Sequence, residues 1–131
     1  MSEVKQHLWY TEEHEWVQRT EDGTVRIGIT DFAQHQLGDI VFVELPGEGA
    51  TIEQGAEIGT IESVKTVSDL FAPVTGTVLK VNEELETTPE LVNESPYEKG
   101  WMIEVEIGED VEEALSKLLS ADQYEQLTAN E

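Results

Sequence analysis

Ala56-Glu57-Ile58-Gly59-Thr60-Ile61-Glu62-Ser63-Val64-Lys65-Thr66-Val67-Ser68-Asp69-Leu70-Phe71-Ala72-Pro73-Val74 is the stretch that decides the fold. Residues 56–61 and 69–74 read as strands, and the residues between them as the tip of a β-hairpin. Lys65 stands at that tip, with no other Lys or Arg between Arg26 and Lys80. A lysine at a turn is ordinarily a solvated charge, but the neighbours of this one are unusual. Strand tips usually turn on Gly, Asn, Asp or Pro, whereas Lys65 is surrounded by Val64, Thr66 and Val67. These β-branched residues are stiff at χ1 and favour extended backbone, so the expectation is a firm tip presenting a single amine. A free lysine amine, with pKa ~10.4, is protonated at neutral pH and does not attack an unactivated acid. A dedicated enzyme carrying an activated acyl group would have to modify it. The first functional reading is therefore a carrier whose chemistry resides in an attached group.

The chain has 131 residues, enough for one domain with a real core. Its 29 acids against 7 bases leave a net charge of −22. That charge repels a phosphate backbone and an anionic membrane surface, and no basic stripe exists to offset it. Solubility or a salty surrounding accounts for most of it, with a bias toward basic partner surfaces. There is no cysteine, which removes disulfides, thiolate metal sites and a cysteine nucleophile together. Met1 to His7 has neither an apolar core nor an Arg-rich amphipathic pattern, so no signal or transit peptide is expected. The longest apolar runs are of strand length, so no transmembrane span is expected either. The simplest setting is the cytoplasm of a prokaryote.

Outward from the hairpin, 8–10 and 15–18 read as short strands. Val25, Ile27 and Ile29 alternate with Arg26, Gly28 and Thr30, a half-buried strand entered through the turn Asp22-Gly23. Residues 31–38 suggest a short helix with Asp31 as N-cap and Gly38 as terminator. Ile40-Val41-Phe42-Val43 is a nearly continuous apolar strand stopped by Pro46 and Gly47. Residues 76–81 and 101–107 complete the strands, Met102 falling near the start of the last. Gly23-Thr24-Val25 and Gly76-Thr77-Val78 echo one another, which would fit two similar half-sheets folded together. In the tail, Asp110 with Glu113 and Ser120 with Gln123 match the capping-box pattern. Glu109, Asp110, Glu112 and Glu113 favour the positive end of a helix dipole. Val111, Ala114, Leu115, Leu118 and Leu119 form an apolar stripe expected to pack on the β body. The fold class is mainly β, a two-sheet sandwich or flattened barrel with a small helical tail. A single domain spans 1–131, with a β body over about 7–107 and a helical segment over about 109–128.

Other motifs carry little. His14-Glu15-Trp16 opens like a zincin helix but lacks the second histidine, and His7, His14 and His35 have no ligand spacing. Gly47, Gly49 and Gly55 are turn glycines without the Lys-Ser or Lys-Thr pair of a phosphate loop, and no Gly-x-Ser-x-Gly elbow is present. Neither a metal site nor a catalytic set is expected, and the chain does not read as an enzyme.

Several stretches form an ordered series: His14-Glu15-Trp16-Val17, Ile27-Gly28-Ile29-Thr30, Leu37-Gly38-Asp39-Ile40-Val41 and Val43-Glu44-Leu45-Pro46. The series continues with Glu62-Ser63-Val64-Lys65, Pro73-Val74-Thr75-Gly76, Val81-Asn82, Asn93-Glu94-Ser95-Pro96-Tyr97 and Gly100-Trp101-Met102. Taken in this order, from Tyr10 to about Ile107, the chain resembles the glycine cleavage H-protein family of lipoyl carriers. The resemblance implies a lipoyl-domain fold (a barrel-sandwich hybrid) with lipoate in amide linkage on Lys65. It implies a role in glycine catabolism. A pyridoxal-phosphate glycine decarboxylase passes an aminomethyl group to the arm, a tetrahydrofolate-dependent aminomethyltransferase removes it, and dihydrolipoamide dehydrogenase reoxidises the dithiol. A lipoylating enzyme is a fourth partner, and the carrier itself is expected to be a monomer. Glu15 and Asp69 match family positions lining a cleft where a cationic amine could dock by charge-assisted hydrogen bonds. Glu62, Ser63 and Val64 are expected to help the lipoylating enzyme recognise the tip, or to shape the hairpin. Asn82 and Pro73 read as turn and sheet residues. Phe32 stands where many relatives have His or Tyr, and Glu13 where a neutral residue is common.

Rival readings differ at the tip. Biotin carriers resemble Met-Lys-Met there, against Val64-Lys65-Thr66 here. Lipoyl domains of 2-oxoacid dehydrogenases usually show Asp-Lys and sit in longer chains with linkers. A lipoyl relay, delivering lipoate to other enzymes' domains, shares the Lys65 motif. A rival of another class is an unmodified acidic adaptor with Lys65 as a plain surface charge.

Overall fold

The computed structural model describes residues 3–21, 23–108 and 110–129. Two antiparallel sheets face each other and do not close into a barrel. The larger is built from β1 (Trp9–Tyr10), β2 (Glu15–Glu21), β3 (Thr24–Ile29), β5 (Thr51–Ile52), β8 (Gly76–Val81) and β9 (Ile103–Glu106), in the order β1-β2-β3-β9-β8-β5. The smaller holds β4 (Ile40–Glu44), β6 (Glu57–Ser63) and β7 (Val67–Phe71), in the order β4-β6-β7. Helices are short: α1 (Asp31–Leu37), α2 (Glu84–Thr87), α3 (Leu91–Glu94), α4 (Val111–Ser116) and α5 (Ala121–Ala129). None is long and apolar enough to cross a membrane.

The apolar alternation read from β3 is realised. Val25, Ile27 and Ile29 turn inward and join Val78, Ile103 and Val105 of the neighbouring strands in two adjoining clusters. Val111, Ala114 and Leu115 of α4 close the first cluster, as the tail stripe suggested. A second cluster places Leu70 and Ile61 of the lysine hairpin against Ile40, Val43 and Met102. Each fully buried side chain of this size contributes roughly 1.5–3 kcal/mol, so the hairpin is anchored below its tip. The third cluster is aromatic: Tyr10 stacks on Tyr124 at 4.6 Å and Trp16 packs near Tyr97.

Several sequence expectations shift. Thr30, not Asp31, caps α1: its extended backbone (φ −77°, ψ 166°) lets Oγ1 accept from Ala33 N at 3.1 Å. The Asp31 carboxylate is taken up by the Gln34 side chain and the Glu3 amide, both 2.8 Å or closer. The hairpin strands are Glu57–Ser63 and Val67–Phe71, so β7 ends before Pro73, which has no N–H to give the ladder. β9 begins at Ile103, because Met102 N instead bonds Ile27 O at 2.8 Å. The glycine-threonine-valine echo does not mark two half-sheets. Both copies lie in the larger sheet on either side of β9, Thr24 and Thr77 both in register with Glu106 and Val25 and Val78 with Val105. Gly76 is required there, since a Cβ would stand 2.3 Å from Glu106 O. Asp110 caps α4 at Glu112 N, 2.9 Å, and Ser120 and Gln123 form the reciprocal box at α5. Asp22 of the expected turn and Glu109 of the acidic run lie outside the described residues. Helices α2 and α3, which the sequence reading did not assign, bury Leu85 and Val92.

Candidate functional site

Lys65 is the middle residue of the three-residue connection Val64-Lys65-Thr66 between β6 and β7. Short hairpin loops normally include a residue of positive φ, yet among the described residues only His14 is a non-glycine with positive φ. The tip is held another way. Ser63 N donates to Thr66 O at 2.8 Å, and the Ser63 hydroxyl accepts from the Lys65 and Thr66 amides at 3.2 and 3.1 Å. That hydroxyl also donates to Thr66 O at 3.2 Å. Ser63 is buried, so its side chain is spent inside the turn.

A second anchor comes from the loop joining α1 to β4. Val64 N donates to Asp39 O at 3.1 Å, pinning the tip from outside the hairpin. The Lys65 stem lies over Gly38, where a Cβ would stand 3.2 Å from Lys65 Cε. Gly38 has φ +82°, a left-handed conformation that glycine adopts without strain. Asn93 on α3 fixes this loop: its amide donates to Gly38 O at 2.8 Å and to Gln34 Oε1 at 3.0 Å, while its oxygen accepts from Ile40 N at 2.8 Å. Sequence reasoning gave Gly38 only a helix-ending role and assigned Asn93 none. Their separation from Lys65 along the chain hides the contact, and only the buttressing of one loop by another reveals it. Among the described residues the Lys65 ammonium has no ion-pair partner.

Of the expected cleft pair, Glu15 is deep and Asp69 is outside. Glu15 is 2% exposed. Its Oε2 accepts from Phe71 N at 2.8 Å and its Oε1 from the Thr11 hydroxyl at 3.3 Å. It thereby bridges the larger sheet to the end of β7. Burial pushes its carboxyl up to about 8, against the lowering pull of the Phe71 amide and Thr11 hydroxyl, with Glu13 adding a smaller push. The left-handed His14 (φ 65°) makes the turn that aims Glu15 inward, and His14 Nδ1 lies 2.8 Å from Tyr124 OH. Tyr124 OH is in turn 2.7 Å from Thr30 Oγ1, so α5 braces the turn.

A cleft of about 340 Å³ opens beside Glu15, walled by Thr11, Glu13, Phe71, Ala72 and Leu118. Asp69 does not line it. It stands exposed on the outward side of β7, in register with Thr60, and pushes up the carboxyl of exposed Glu57 through charge repulsion and a shared hydrogen bond. Glu62 and Val64 are exposed at and beside the tip. Asn82 is buried, its amide donating to Lys99 O and Trp101 O, the sheet-end role its sequence suggested.

Comparison with known proteins matches nearly the whole chain to one family. The family model described as glycine cleavage H-protein matches residues 8–131. The glycine cleavage system H protein of Bacillus cytotoxicus is 58% identical over 125 residues, covering 95% of this chain and 96% of its own. That of Brevibacillus brevis is 61% identical over 123 residues, covering 94% and 95%. A crystal structure of a glycine cleavage system H protein from Mycobacterium marinum matches with a TM-score of 0.87 at 38% identity, covering 96% of this chain and 99% of that one. Matched from its first strand through its helical tail, the chain belongs to the glycine cleavage H-protein family.

Proposed function

We propose that this chain is a non-catalytic carrier that holds lipoate in amide linkage on Lys65 Nζ and serves glycine cleavage. The observation that carries the reading is an exposed amine, without an ion-pair partner among the described residues, on a tip fixed by Ser63 and by Asp39 from a separate loop. Acylating that amine removes its charge and strands no buried counter-ion, so the residues present fit the group. Bound there, lipoate supplies redox sulfur that a chain without cysteine lacks. The chain's own work is to fix the attachment point and to offer a sheltered place for an amine cargo. The partners are a pyridoxal-phosphate glycine decarboxylase, a tetrahydrofolate-dependent aminomethyltransferase, dihydrolipoamide dehydrogenase and a lipoylating enzyme. The bacterial relatives fit a cytoplasmic setting.

Two carboxylates can meet the cargo in different ways. Along β7, at ~3.3 Å per residue, Asp69 lies roughly 13 Å from Lys65 and Phe71 roughly 20 Å. Asp69 is therefore the nearer charge for an amine tethered at the tip. Glu15, raised toward neutrality by burial, takes part by proton exchange. An amine arriving as the free base takes the proton of the carboxylic acid, leaving an ammonium against a carboxylate in a charge-assisted bond.

Mass mapping of the protein from its native source should find a lipoyl or octanoyl increment on the fragment bearing Lys65. In reconstitution with the other components, Lys65→Arg should support no glycine decarboxylation while keeping the melting temperature of the parent. An unmodified Lys65 in cells that contain other lipoylated proteins would overturn the reading and favour the adaptor.

A further inference from the structure

The outward side of the smaller sheet carries apolar surface that the carrier reading alone does not use. Phe42, Glu62 and Val67 are in register across β4, β6 and β7, so their side chains form one row on that side. Phe42 is 51% exposed and Val67 60%, while Val64 at the tip is 67% exposed. Of the five exposed large hydrophobic residues among the described ones, these three and Val41 lie on β4 or the hairpin; only Leu79 lies elsewhere. Val41 and Phe42 are both exposed because the register slips between Ile40 and Phe42, turning part of an apolar run toward solvent. An exposed aromatic on the edge strand of a sheet invites edge-to-edge association, and contiguous patches of this kind mark interaction sites.

The next row on the same side is Glu44, Thr60 and Asp69. Apart from Lys65 itself, the stretches 40–44 and 57–71 contain no Lys or Arg. The patch is thus an apolar row with carboxylates within and beside it, running up to one amine.

We infer that this patch, Phe42, Val64 and Val67 with Glu44, Glu62 and Asp69, is the docking surface for the enzyme that acylates Lys65. That enzyme presents an apolar depression edged by Arg or Lys. The inference rests on the proposal that Lys65 is acylated. The occupant follows from where each partner's chemistry takes place. Acylation occurs at Nζ: the amine attacks an acyl adenylate or acyl thioester and the amide C–N bond forms. The acyl–O or acyl–S bond breaks, AMP or the thiol leaves with its electron pair, and the amine loses a proton to a base. The Lys65 stem lies along Gly38, so Nζ is held close to the protein body. An active site that reaches it must press against the tip and the strands beside it. Enzymes acting at the far end of an acyl arm need not reach the lysine stem or the strands that flank it. Aromatic anchors set in apolar pockets dominate such contacts, with opposite charge at the rim steering encounter.

The test is the rate at which a lipoate ligase, given lipoate and ATP, modifies the unmodified full-length protein at low concentration. Phe42→Ser and Val67→Ser should each slow modification by tenfold or more, with Leu79→Ser, on the other sheet, at the parental rate. Raising the salt from 50 to 300 mM should slow the parent several-fold. Thermal melts check that the serine variants remain folded. Parental rates for Phe42→Ser and Val67→Ser would overturn the docking surface. So would an equal loss when chemically lipoylated Phe42→Ser is assayed with dihydrolipoamide dehydrogenase, since the surface would then not belong to the acylating enzyme. If the parent itself is not modified, the failure lies in the carrier proposal beneath it.

Discussion

The two ends of β7 place opposite demands on one strand. At its start the chain raises Lys65 into solvent and holds the backbone rigid beneath it with the Ser63 hydroxyl and the Asp39 carbonyl. At its end, Phe71 donates its amide to a carboxylate that is almost wholly buried. The tip is cheap in solvation, since every charged group there faces water, and its order comes from hydrogen bonds to backbone. The far end is expensive, because Glu15 sits where its charged form is disfavoured by burial. The strand thus joins an exposed lysine at one end to a buried acid at the other.

The largest expected consequence of that difference is a pH dependence centred on Glu15. Its carboxyl is raised from 4.5 to about 8 in the folded state. Between those values the unfolded chain has released the proton and the folded chain has kept it, so stability falls as pH rises through the window. Below pH 4.5 the contribution is fully present. The slope is on the order of 1.4 kcal/mol per pH unit inside the window. Glu15→Gln keeps an oxygen to accept from Phe71 N and cannot ionise, so this part of the slope should vanish in urea melts at pH 5, 6.5 and 8. Asp69→Asn, at the exposed position, should leave the Glu15 part of the slope as it is. A parental slope in Glu15→Gln would show that the far end is no more costly than the tip.

A smaller effect tests the buttress. Asn93→Ala removes three hydrogen bonds, to Gly38 O, Gln34 Oε1 and Ile40 N. The expected loss is about 2–3 kcal/mol, read as a fall in the urea midpoint at constant slope. Acylation of Lys65 should slow with it, because Gly38 and Asp39 then hold the tip less firmly. Destabilisation with acylation at the parental rate would mean that the hairpin positions its lysine unaided.

Much of this could be read from residues in order, and the part that could not has one physical cause. The strand alternation of Val25, Ile27 and Ile29, the first half of the tail stripe (Val111, Ala114 and Leu115) and the capping pair Ser120 and Gln123 are local patterns that the structure realises. Leu118 and Leu119 of that stripe fall beyond α4, where Leu119 bridges Tyr10. The hairpin and its lysine were legible because β-branched residues around an amine are unusual at a turn. What stayed hidden is long-range: the loop of Gly38 and Asp39 against the tip, the grip of Asn93 on that loop, and the depth of Glu15. Local pattern misled where a polar side chain had a better distant partner. Asp31 looked like the cap of α1, but Gln34 and Glu3 claim its carboxylate and Thr30 takes the role. The Ile40 to Val43 run reads as a nearly continuous apolar strand, and a register slip turns its Val41 and Phe42 outward.

The smallest expected effect is the most informative about the tip. Ser63→Ala deletes the hydroxyl that accepts from the Lys65 and Thr66 amides. Those amides lie next to solvent, so water replaces the lost acceptor and the cost should stay near ~1 kcal/mol, the low end for a hydrogen bond. Stability is therefore a poor measure of what Ser63 does. Its consequence is conformational: the loop has no positive φ to define a primed turn, so without the hydroxyl the tip can adopt several backbone arrangements. The lysine would then reach the acylating enzyme correctly placed only part of the time, and the apparent rate falls by the fraction of molecules in the competent form. A three- to tenfold slower acylation (a factor of ten being ~1.4 kcal/mol) with a nearly parental melting temperature is the expected result. Ser63→Thr, which keeps the hydroxyl, should recover most of the rate. If Ser63→Ala is acylated at the parental rate, the bond from Val64 to Asp39 orders the tip alone, and the rigidity belongs to the packing of one loop on another.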